Sequence, residues 1–167
     1  MLLFENRGET ARRVEEQYVR SHSLFTQSVE YALRAVVYLA SQPDQAQKTA
    51  DIAIATQVPG AYLSKVLQGL RKGQIVTLSR GVGGGVMLAR SPDALTILDI
   101  VNAVDPIKRI TTCPLGLISH GTKLCSLHFE MDNAFEALQV SFAAKTIAQL
   151  LRDENSSYPL CSQRTAS

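Results

Sequence analysis

Between residues 63 and 90 the spacing of the hydrophobic positions changes from that of a helix to that of β-strands. In the first part, apolar residues recur at intervals of three and four, which places them on one helical face. From Ile75 onward apolar and polar positions alternate, and a glycine-rich stretch at 81–85 separates two such runs. Alternation around a glycine turn predicts a β-hairpin. The apolar face of the preceding helix consists of Leu63, Val66, Leu67 and Leu70.

Two helical segments are expected before this helix. Thr26 or Ser28 is placed to cap a first helix that runs to about Ser41, and Thr49 to cap a second helix over 50–56. The inward positions of the first helix are Val29, Leu33, Val36, Val37 and Ala40, and those of the second are Ile52, Ala53 and Ile54.

The third helix is predicted to run from about Ala61 to Lys72. Pro59 suits its first turn, and Gly73 suits a left-handed stop at its end. Two short helices joined by a tight turn, preceded by a supporting helix and followed by a basic hairpin, form a winged helix-turn-helix. The predicted fold class is therefore mainly α with a small β-hairpin, a winged helix-turn-helix followed by a long C-terminal dimerisation helix.

Polar and basic side chains occupy the outer face of the third helix, where a helix-turn-helix reads DNA. Their donors suit base edges and phosphates. At the hairpin tip, Arg80 stands beside glycines that let the backbone lie close to DNA, so Arg80 is a candidate for insertion into the minor groove. The glycines do not match a phosphate-binding loop, because the sixth position is Val86 and no helix is expected there. The candidate DNA-binding residues are Tyr62, Ser64, Lys65, Gln68, Arg71, Lys72 and Arg80.

The C-terminal part predicts a connecting helix, a loop and a long helix. Thr96 is expected to cap a helix over 97–104, and residues 111–126 carry cysteines without apolar periodicity. A helix over 127–151 follows; its length favours a dimer seam. Its apolar stripe consists of Leu127, Met131, Phe135, Leu138, Phe142, Ile147, Leu150 and Leu151. The organisation expected is an N-terminal extension (1–23), a winged helix-turn-helix domain (24–92), a connecting helix with an effector loop (93–126), a dimerisation helix (127–152) and a disordered tail (153–167).

Charge and composition narrow the functional class. The chain has 167 residues and a net charge of +2, yet residues 24–92 hold seven basic and three acidic groups. A basic segment joined to an acidic one suggests an anionic partner for the first. No apolar run is long enough to span a membrane, and the acidic N-terminus does not resemble a signal peptide, so a cytoplasmic location is expected. No nucleophile–base pair or paired carboxylates occur at a recognisable spacing, so an enzyme is not expected.

The order of these parts resembles the Rrf-type bacterial transcription regulators, in motifs that lie within residues 24–152. The matching motifs are Leu-Arg-Lys-Gly at 70–73, Arg-Gly-Val-Gly-Gly-Gly at 80–85, Ser-Pro-Asp at 91–93 and Cys-Ser-Leu-His at 125–128. Members of that family include the iron–sulfur cluster assembly regulator, the nitric-oxide-sensing repressor and the cysteine-metabolism repressor. The resemblance implies a dimeric DNA-binding regulator, with Tyr62 and Lys65 on the reading helix and Arg80 in the minor groove.

The resemblance also implies a metal site, although the loop departs from the family pattern. Cluster-binding members with this spacing carry three cysteines six residues apart and then a histidine; here Ser119 replaces the middle cysteine, between Cys113 and Cys125, and His128 follows. A 2Fe–2S cluster needs four protein ligands, so His120 or a group from the partner subunit would have to complete the set.

Other functions for the loop stay open. Cys113, His120, Cys125 and His128 could bind zinc, or the two cysteines could form a reversible disulfide. The loop could also have no sensing role, in a protein that represses constitutively or responds to another ligand. A winged-helix protein-interaction module without DNA binding is a further alternative, against which the basic side chains of the outer face argue.

Overall fold

The computed structural model describes residues 25–116 and 123–153, which form six α-helices and a two-stranded sheet in this part of the chain. The helices are α1 (Gln27–Ala40), α2 (Thr49–Thr56), α3 (Gly60–Lys72), α4 (Ile97–Val104), α5 (Ser126–Ala143) and α6 (Ile147–Arg152). The strands are β1 (Val76–Leu78) and β2 (Val86–Leu88), and a single 3-10 turn spans Pro92–Ala94. The mainly helical fold class with a small hairpin is thus confirmed.

One hydrophobic core joins the first four helices to the hairpin. The periodic face of α3 is buried as predicted, and α1 lies across it. Leu33 is only partly buried, and Ile54, expected to face inward, is 77% exposed. That prediction was wrong because α2 buries the opposite side of its short helix, through Ile52 and Ala55. The fully buried larger side chains include Ile52, Leu63, Leu67, Leu70, Ile75, Leu95, Ile100 and Ile147.

The predicted N-caps are confirmed fully at α4, in position only at α1, and not at α2. Thr96 caps α4 through a capping box in which its hydroxyl accepts from the Asp99 amide and the Asp99 carboxylate accepts from the Thr96 amide. Thr49 is the first residue of α2 rather than its cap, and Lys48 stands at the cap position. Thr26 occupies the N-cap of α1 without a side-chain hydrogen bond to the helix.

Gly73 ends α3, but not for the reason that the sequence suggested. Its φ is −76°, outside the left-handed region, and the next residue, Gln74, takes the left-handed conformation with φ 57°. A Cβ on Gly73 would lie 2.5 Å from the Cβ of Ala103 on α4. The glycine is therefore required by the close packing of α3 against α4.

The hairpin is a wing anchored to the rest of the domain. β1 and β2 are antiparallel, with Val76 opposite Leu88 and Leu78 opposite Val86. Gln47 adds a third segment, because its amide donates to the Val86 carbonyl at 2.9 Å and its carbonyl accepts from the Val86 amide at 2.8 Å. Pairing on the outer side of β2 fixes the base of the wing against the loop that leads into α2.

The single long helix predicted over 127–152 is divided. α5 ends at Ala143, and Thr146 starts α6 with its own capping box to Gln149. Between them, the amide of Ile97 donates to the Lys145 carbonyl and the amide of Ile147 to the Leu95 carbonyl. This pairing draws the chain out of helical conformation and carries Ile147 into the core of the winged domain, where its side chain is fully buried.

Two further predictions concern segments at the edges of the described chain. The N-terminal extension (1–23) and nearly all of the C-terminal tail (153–167) lie outside the described residues. Within the described part, none of the helices has the length and hydrophobicity needed to cross a bilayer.

Candidate nucleic-acid interface and effector loop

α3 presents one face to the core and the other to solvent. Its four periodic apolar residues are buried and Gly69 packs against α4, which leaves the other positions exposed. All six side chains that the sequence assigned to DNA reading on this helix are exposed, and they are Tyr62, Ser64, Lys65, Gln68, Arg71 and Lys72. The structure thus gathers the predicted donors on one helical surface, with both basic side chains of the last turn at the end that leads into the wing.

Two of these side chains make contacts that restrict them. The ring of Tyr62 packs edge-on against Tyr31 of α1, with centroids 6.2 Å apart and an interplanar angle of 63°. The hydroxyl of Ser64 donates to the Gly60 carbonyl one turn earlier at 3.0 Å. The Ser64 hydroxyl proton is therefore used in a hydrogen bond within the helix, and the hydroxyl oxygen is left as an acceptor for an outside donor.

The tip of the wing is a tight turn that depends on glycine. Gly81 and Gly83 have φ values of 96° and 78°, and the Gly84 amide donates to the Gly81 carbonyl at 3.0 Å. Ser79 closes the turn: its amide donates to the Gly85 carbonyl at 2.9 Å, and its hydroxyl accepts from the Gly85 amide at 3.2 Å. Arg80 is exposed beside this turn, next to the backbone surface that the glycines leave without side chains.

α3 and the wing are joined by a short, hydrogen-bonded connection. The amide of Ile75 donates to the Leu70 carbonyl at 2.9 Å, and the amide of Ala89 donates to the Ile75 carbonyl at 2.9 Å. Ile75 is itself buried. α3 and the wing are therefore held in a fixed relative orientation, and the seven predicted DNA-binding side chains belong to one continuous unit.

The predicted metal ligands are gathered only in part. Cys125 stands at the N-cap of α5, and its Sγ lies 3.3 Å from Nδ1 of His128, one turn into the helix. Cys113 is half-buried in a turn closed by the Gly116 amide, which donates to the Cys113 carbonyl at 3.0 Å. His120 and Ser119 lie outside the described residues. Within 25–116 and 123–153, no three His, Cys, Asp or Glu side chains are grouped so that they could hold one metal ion.

A charged clamp ties the segment before this loop to α5. Arg109 donates to both carboxylate oxygens of Asp132, from Nε at 2.7 Å and from Nη2 at 2.6 Å, and its Nη2 also lies 3.0 Å from Glu136. The amide of Ile110 donates to the same Asp132 carboxylate at 2.8 Å. The hydrogen bonds from Arg109 are the main reason that the pKa of Asp132 is lowered; the Ile110 amide adds to this, and desolvation opposes it.

Comparison with known proteins assigns this arrangement to a family. Residues 25–153 match the Rrf2 family model, whose description is "Iron-dependent Transcriptional regulator". The chain belongs to the Rrf2 family. It is 31% identical over 134 residues to a protein of Aquifex aeolicus (strain VF5) described as an HTH-type transcriptional regulator, a match that covers 78% of this chain and 93% of that one. It is 32% identical over 146 residues to the HTH-type transcriptional regulator NsrR of Geobacillus kaustophilus (strain HTA426), covering 83% of this chain and 97% of NsrR.

Solved structures of Rrf2-type regulators share the fold. IscR of T. potens superposes with a TM-score of 0.67 and 19% identity, over 87% of this chain and 94% of that one. CymR of B. subtilis, described as the global cysteine regulator, gives a TM-score of 0.61 and 21% identity over 77% of this chain and 95% of that one. The expectation of an Rrf-type winged-helix regulator is confirmed, and this chain is a DNA-binding transcriptional regulator of the Rrf2 type.

Sequence reasoning missed three features of this Rrf2 protein. Gln47 supports the wing, although it stands nearly forty positions from Val86 and carries no strand pattern of its own. Arg109 forms the clamp with a carboxylate 23 residues away. Val82 is fully exposed at the tip of the wing. Only Val82 left a signal in the sequence, since an apolar residue between glycines of a predicted hairpin tip has no core to enter.

Proposed function

We propose that this chain is a homodimeric cytoplasmic repressor that reads operator DNA with α3 and the wing and senses iron–sulfur or redox status through the Cys113–His128 region. The observation that carries the DNA-reading part is the joint exposure of seven polar and basic side chains on one connected unit. In a helix-turn-helix, the second helix enters the major groove and its first residues contact base edges. Here those positions belong to Tyr62, Ser64 and Lys65.

The wing supports a second contact, in the minor groove. Arg80 is exposed beside a turn in which Gly81 and Gly83 bring the backbone to the surface, with the exposed Val82 between them. Narrow, A·T-rich minor grooves have a strong negative potential that attracts guanidinium groups. We assign Arg80 to this groove, and Arg71 and Lys72 at the end of α3 to the phosphates that flank it.

The salt dependence of binding tests the DNA-reading role. Four cationic side chains per protomer face the proposed interface, namely Lys65, Arg71, Lys72 and Arg80. If all of them neutralise phosphates in a dimer, the slope of log Kd against log salt concentration should approach roughly 7 in magnitude. A flat salt dependence on promoter DNA would contradict the proposal and would favour a protein-interaction module.

Dimerisation is supported by the exposed surface of α5. None of its 18 residues is buried, although one side of it contacts its own domain through the Phe142–Phe25 ring pair, with centroids 5.4 Å apart. Four large apolar side chains of α5 remain exposed: Leu127, Phe129, Met131 and Val140. An exposed apolar helix of this kind suits a second copy of the chain, because operators with two half-sites favour two-fold symmetric proteins.

The effector loop fits a metal centre only partly. Two ligands on one tetrahedral metal lie about 3.5 Å apart when one is a thiolate and the other an imidazole. The Cys125–His128 separation of 3.3 Å suits such a pair, but Cys113 does not join it in a three-ligand group within the described residues. Bound zinc and a Cys113–Cys125 disulfide are therefore the two alternatives to a cluster in this loop.

The loop is connected to the dimerisation surface by the Arg109 clamp. A change at Cys113 or Cys125 would act on residues 107–110, which Asp132 and Gln139 hold against α5. We propose that this connection carries the effector signal into the spacing of the two reading helices.

Anaerobic purification identifies the effector chemistry. An absorption spectrum with iron, sulfide and zinc analysis should reveal bound metal, and a Cys125→Ser variant should lose it. A colourless, metal-free protein would contradict cluster sensing. In that case, mass spectrometry after mild oxidation should find a bond between Cys113 and Cys125; its absence would leave the loop without a sensing role.

A further inference from the structure

On the outer face of α3, Tyr62 makes an aromatic contact with a side chain of another helix. Its ring meets the ring of Tyr31 in an edge-to-face arrangement, at the 6.2 Å centroid distance given above. Tyr31 is half-buried and packs against the hydrophobic core, whereas Tyr62 is 54% exposed. The fixed partner is therefore Tyr31, and the side chain that is free to meet DNA is Tyr62.

The position of Tyr62 makes its orientation matter. It is the third residue of α3, in the turn that a helix-turn-helix directs at base edges. An exposed side chain ordinarily distributes among staggered rotamers, and ordering it on binding costs conformational entropy. A tyrosine has only two χ angles to fix, so one ring contact is enough to select its direction before DNA arrives.

The surroundings of Tyr31 on α1 are also ordered. Its neighbour Glu30 accepts from Nε of Arg34 at 2.9 Å, and Nη1 of Arg34 lies 3.5 Å from the Thr56 carbonyl at the end of α2. These contacts join α1 to the first helix of the helix-turn-helix. Tyr31 thus stands on a surface that is held in place relative to both helices of the reading motif.

We propose that Tyr31 is a positioning residue for DNA recognition, whose ring holds Tyr62 in the orientation that contacts the operator. This inference rests on the proposed DNA-reading function and deepens it, because it assigns a recognition role to a residue that does not itself face DNA. Tyr31 acts through its ring and not its hydroxyl. Phenylalanine should therefore replace it, and leucine should not.

The experiment compares two probes with the full-length protein. The first is a duplex of about 30 base pairs, long enough for two half-sites, selected by the unmodified protein from a randomised pool; the second has the same composition in shuffled order. Tyr31→Phe should bind both as the unmodified protein does. Tyr31→Leu should lose about three- to tenfold in affinity for the selected duplex, since it loses one aromatic pair. Its affinity for the shuffled duplex and its salt slope should not change.

A double-mutant cycle separates positioning from general destabilisation. Tyr31→Leu combined with Tyr62→Ala should bind no more weakly than Tyr62→Ala alone. Tyr38→Leu is the matched control, because Tyr38 is another half-buried tyrosine of α1 that packs against the core. Its effect should add to that of Tyr62→Ala.

Four outcomes overturn the inference. Additive losses for Tyr31→Leu and Tyr62→Ala would show that the two residues act independently. Equal losses of affinity by Tyr31→Leu for both duplexes, with a lowered melting temperature, would show that Tyr31 only stabilises the core. Full binding by Tyr62→Ala would remove Tyr62 from the interface and with it that part of the proposed function, whereas weak binding by Tyr62→Ala with normal binding by Tyr31→Leu would overturn the positioning role alone.

Discussion

Replacing Gly73 with alanine should destabilise the protein by forcing two methyl groups into one space. The added Cβ would lie 2.5 Å from the Cβ of Ala103 and 3.3 Å from its Cα. Neither atom belongs to a flexible side chain, so α3 and α4 must move apart. Overpacking of this kind costs about 1–3 kcal/mol. The backbone itself accepts alanine, since φ is −76°, so the reduced entropy of the unfolded chain offsets only about 0.4–1 kcal/mol of this cost.

A matched control and a compensating change isolate the clash. A Cβ on Gly60, at the start of the same helix, would meet no atom within 4 Å, so Gly60→Ala should be neutral or slightly stabilising. Ala103→Gly removes the opposing methyl group and on its own costs about 1 kcal/mol through helix propensity. The Gly73→Ala, Ala103→Gly double variant should therefore be more stable than the sum of the two single changes predicts.

Urea or thermal unfolding at one fixed protein concentration measures these differences. For a chain of this size, 1 kcal/mol corresponds to roughly 2–4 °C in melting temperature, and a fixed concentration removes any contribution from dimer dissociation. Equal stability of Gly73→Ala and Gly60→Ala would refute the packing argument. So would strictly additive effects at positions 73 and 103.

Three further changes test the interface, the clamp and the dimer. Arg80→Ala should weaken binding to sites with A·T-rich minor grooves and lower the magnitude of the salt slope by about 1 per protomer that loses a phosphate contact; unchanged affinity in a gel-shift titration would exclude the wing. Because Arg109 lowers the pKa of Asp132 in the folded protein, the stability that this carboxylate contributes is complete above its ordinary pKa of 3.8 and is lost as pH falls through the lower folded value. The unfolding free energy of Asp132→Asn should therefore decrease less with falling pH than that of the unmodified protein. A chemical-denaturation series in acid that shows the same decrease for both proteins would contradict this. Met131→Glu should convert dimers to monomers in sedimentation experiments, whereas Thr77→Glu, which adds the same charge on the exposed side of β1, should not.

The reading unit was predictable because its signals are local. The periodic apolar face of α3 determines which positions face outward, and the alternation around glycines determines the hairpin. The capping box at Thr96 likewise depends on residues three apart in the chain. Where burial follows from the regular spacing of apolar positions, the sequence alone tells which side chains face the core and which face solvent.

The features that the sequence left hidden depend on contacts between distant segments. The apolar stripe runs past residue 143 without a glycine or proline, yet the helix ends there because 145–147 pair with 95–97. A local signal was nevertheless present, since Thr146 and Gln149 have the spacing of a capping box. The Arg109–Asp132 clamp had no comparable signal, because a loop arginine can pair with any of the carboxylates on the helix that follows.

The contacts around α4 explain how a loop far from the reading helix is connected to it. The amide of Ile107 donates to the Asn102 side chain at 3.3 Å, so the end of α4 and the clamped segment before the cysteines are joined. One residue later, Ala103 faces Gly69 and Gly73 of α3, where the glycines allow the two helices to approach without side chains between them. Close-packed surfaces transmit displacement because they leave no free volume to absorb it. A shift of residues 107–110 that moves α4 must therefore move the end of α3, which carries the exposed Arg71 and Lys72 and leads into the wing. Along this connection, α3 and α4 approach most closely at Gly73, where an added Cβ would lie 2.5 Å from the Cβ of Ala103. Contact by itself does not establish coupling. Substitutions at Gly73 that alter DNA binding as well as stability would provide that evidence.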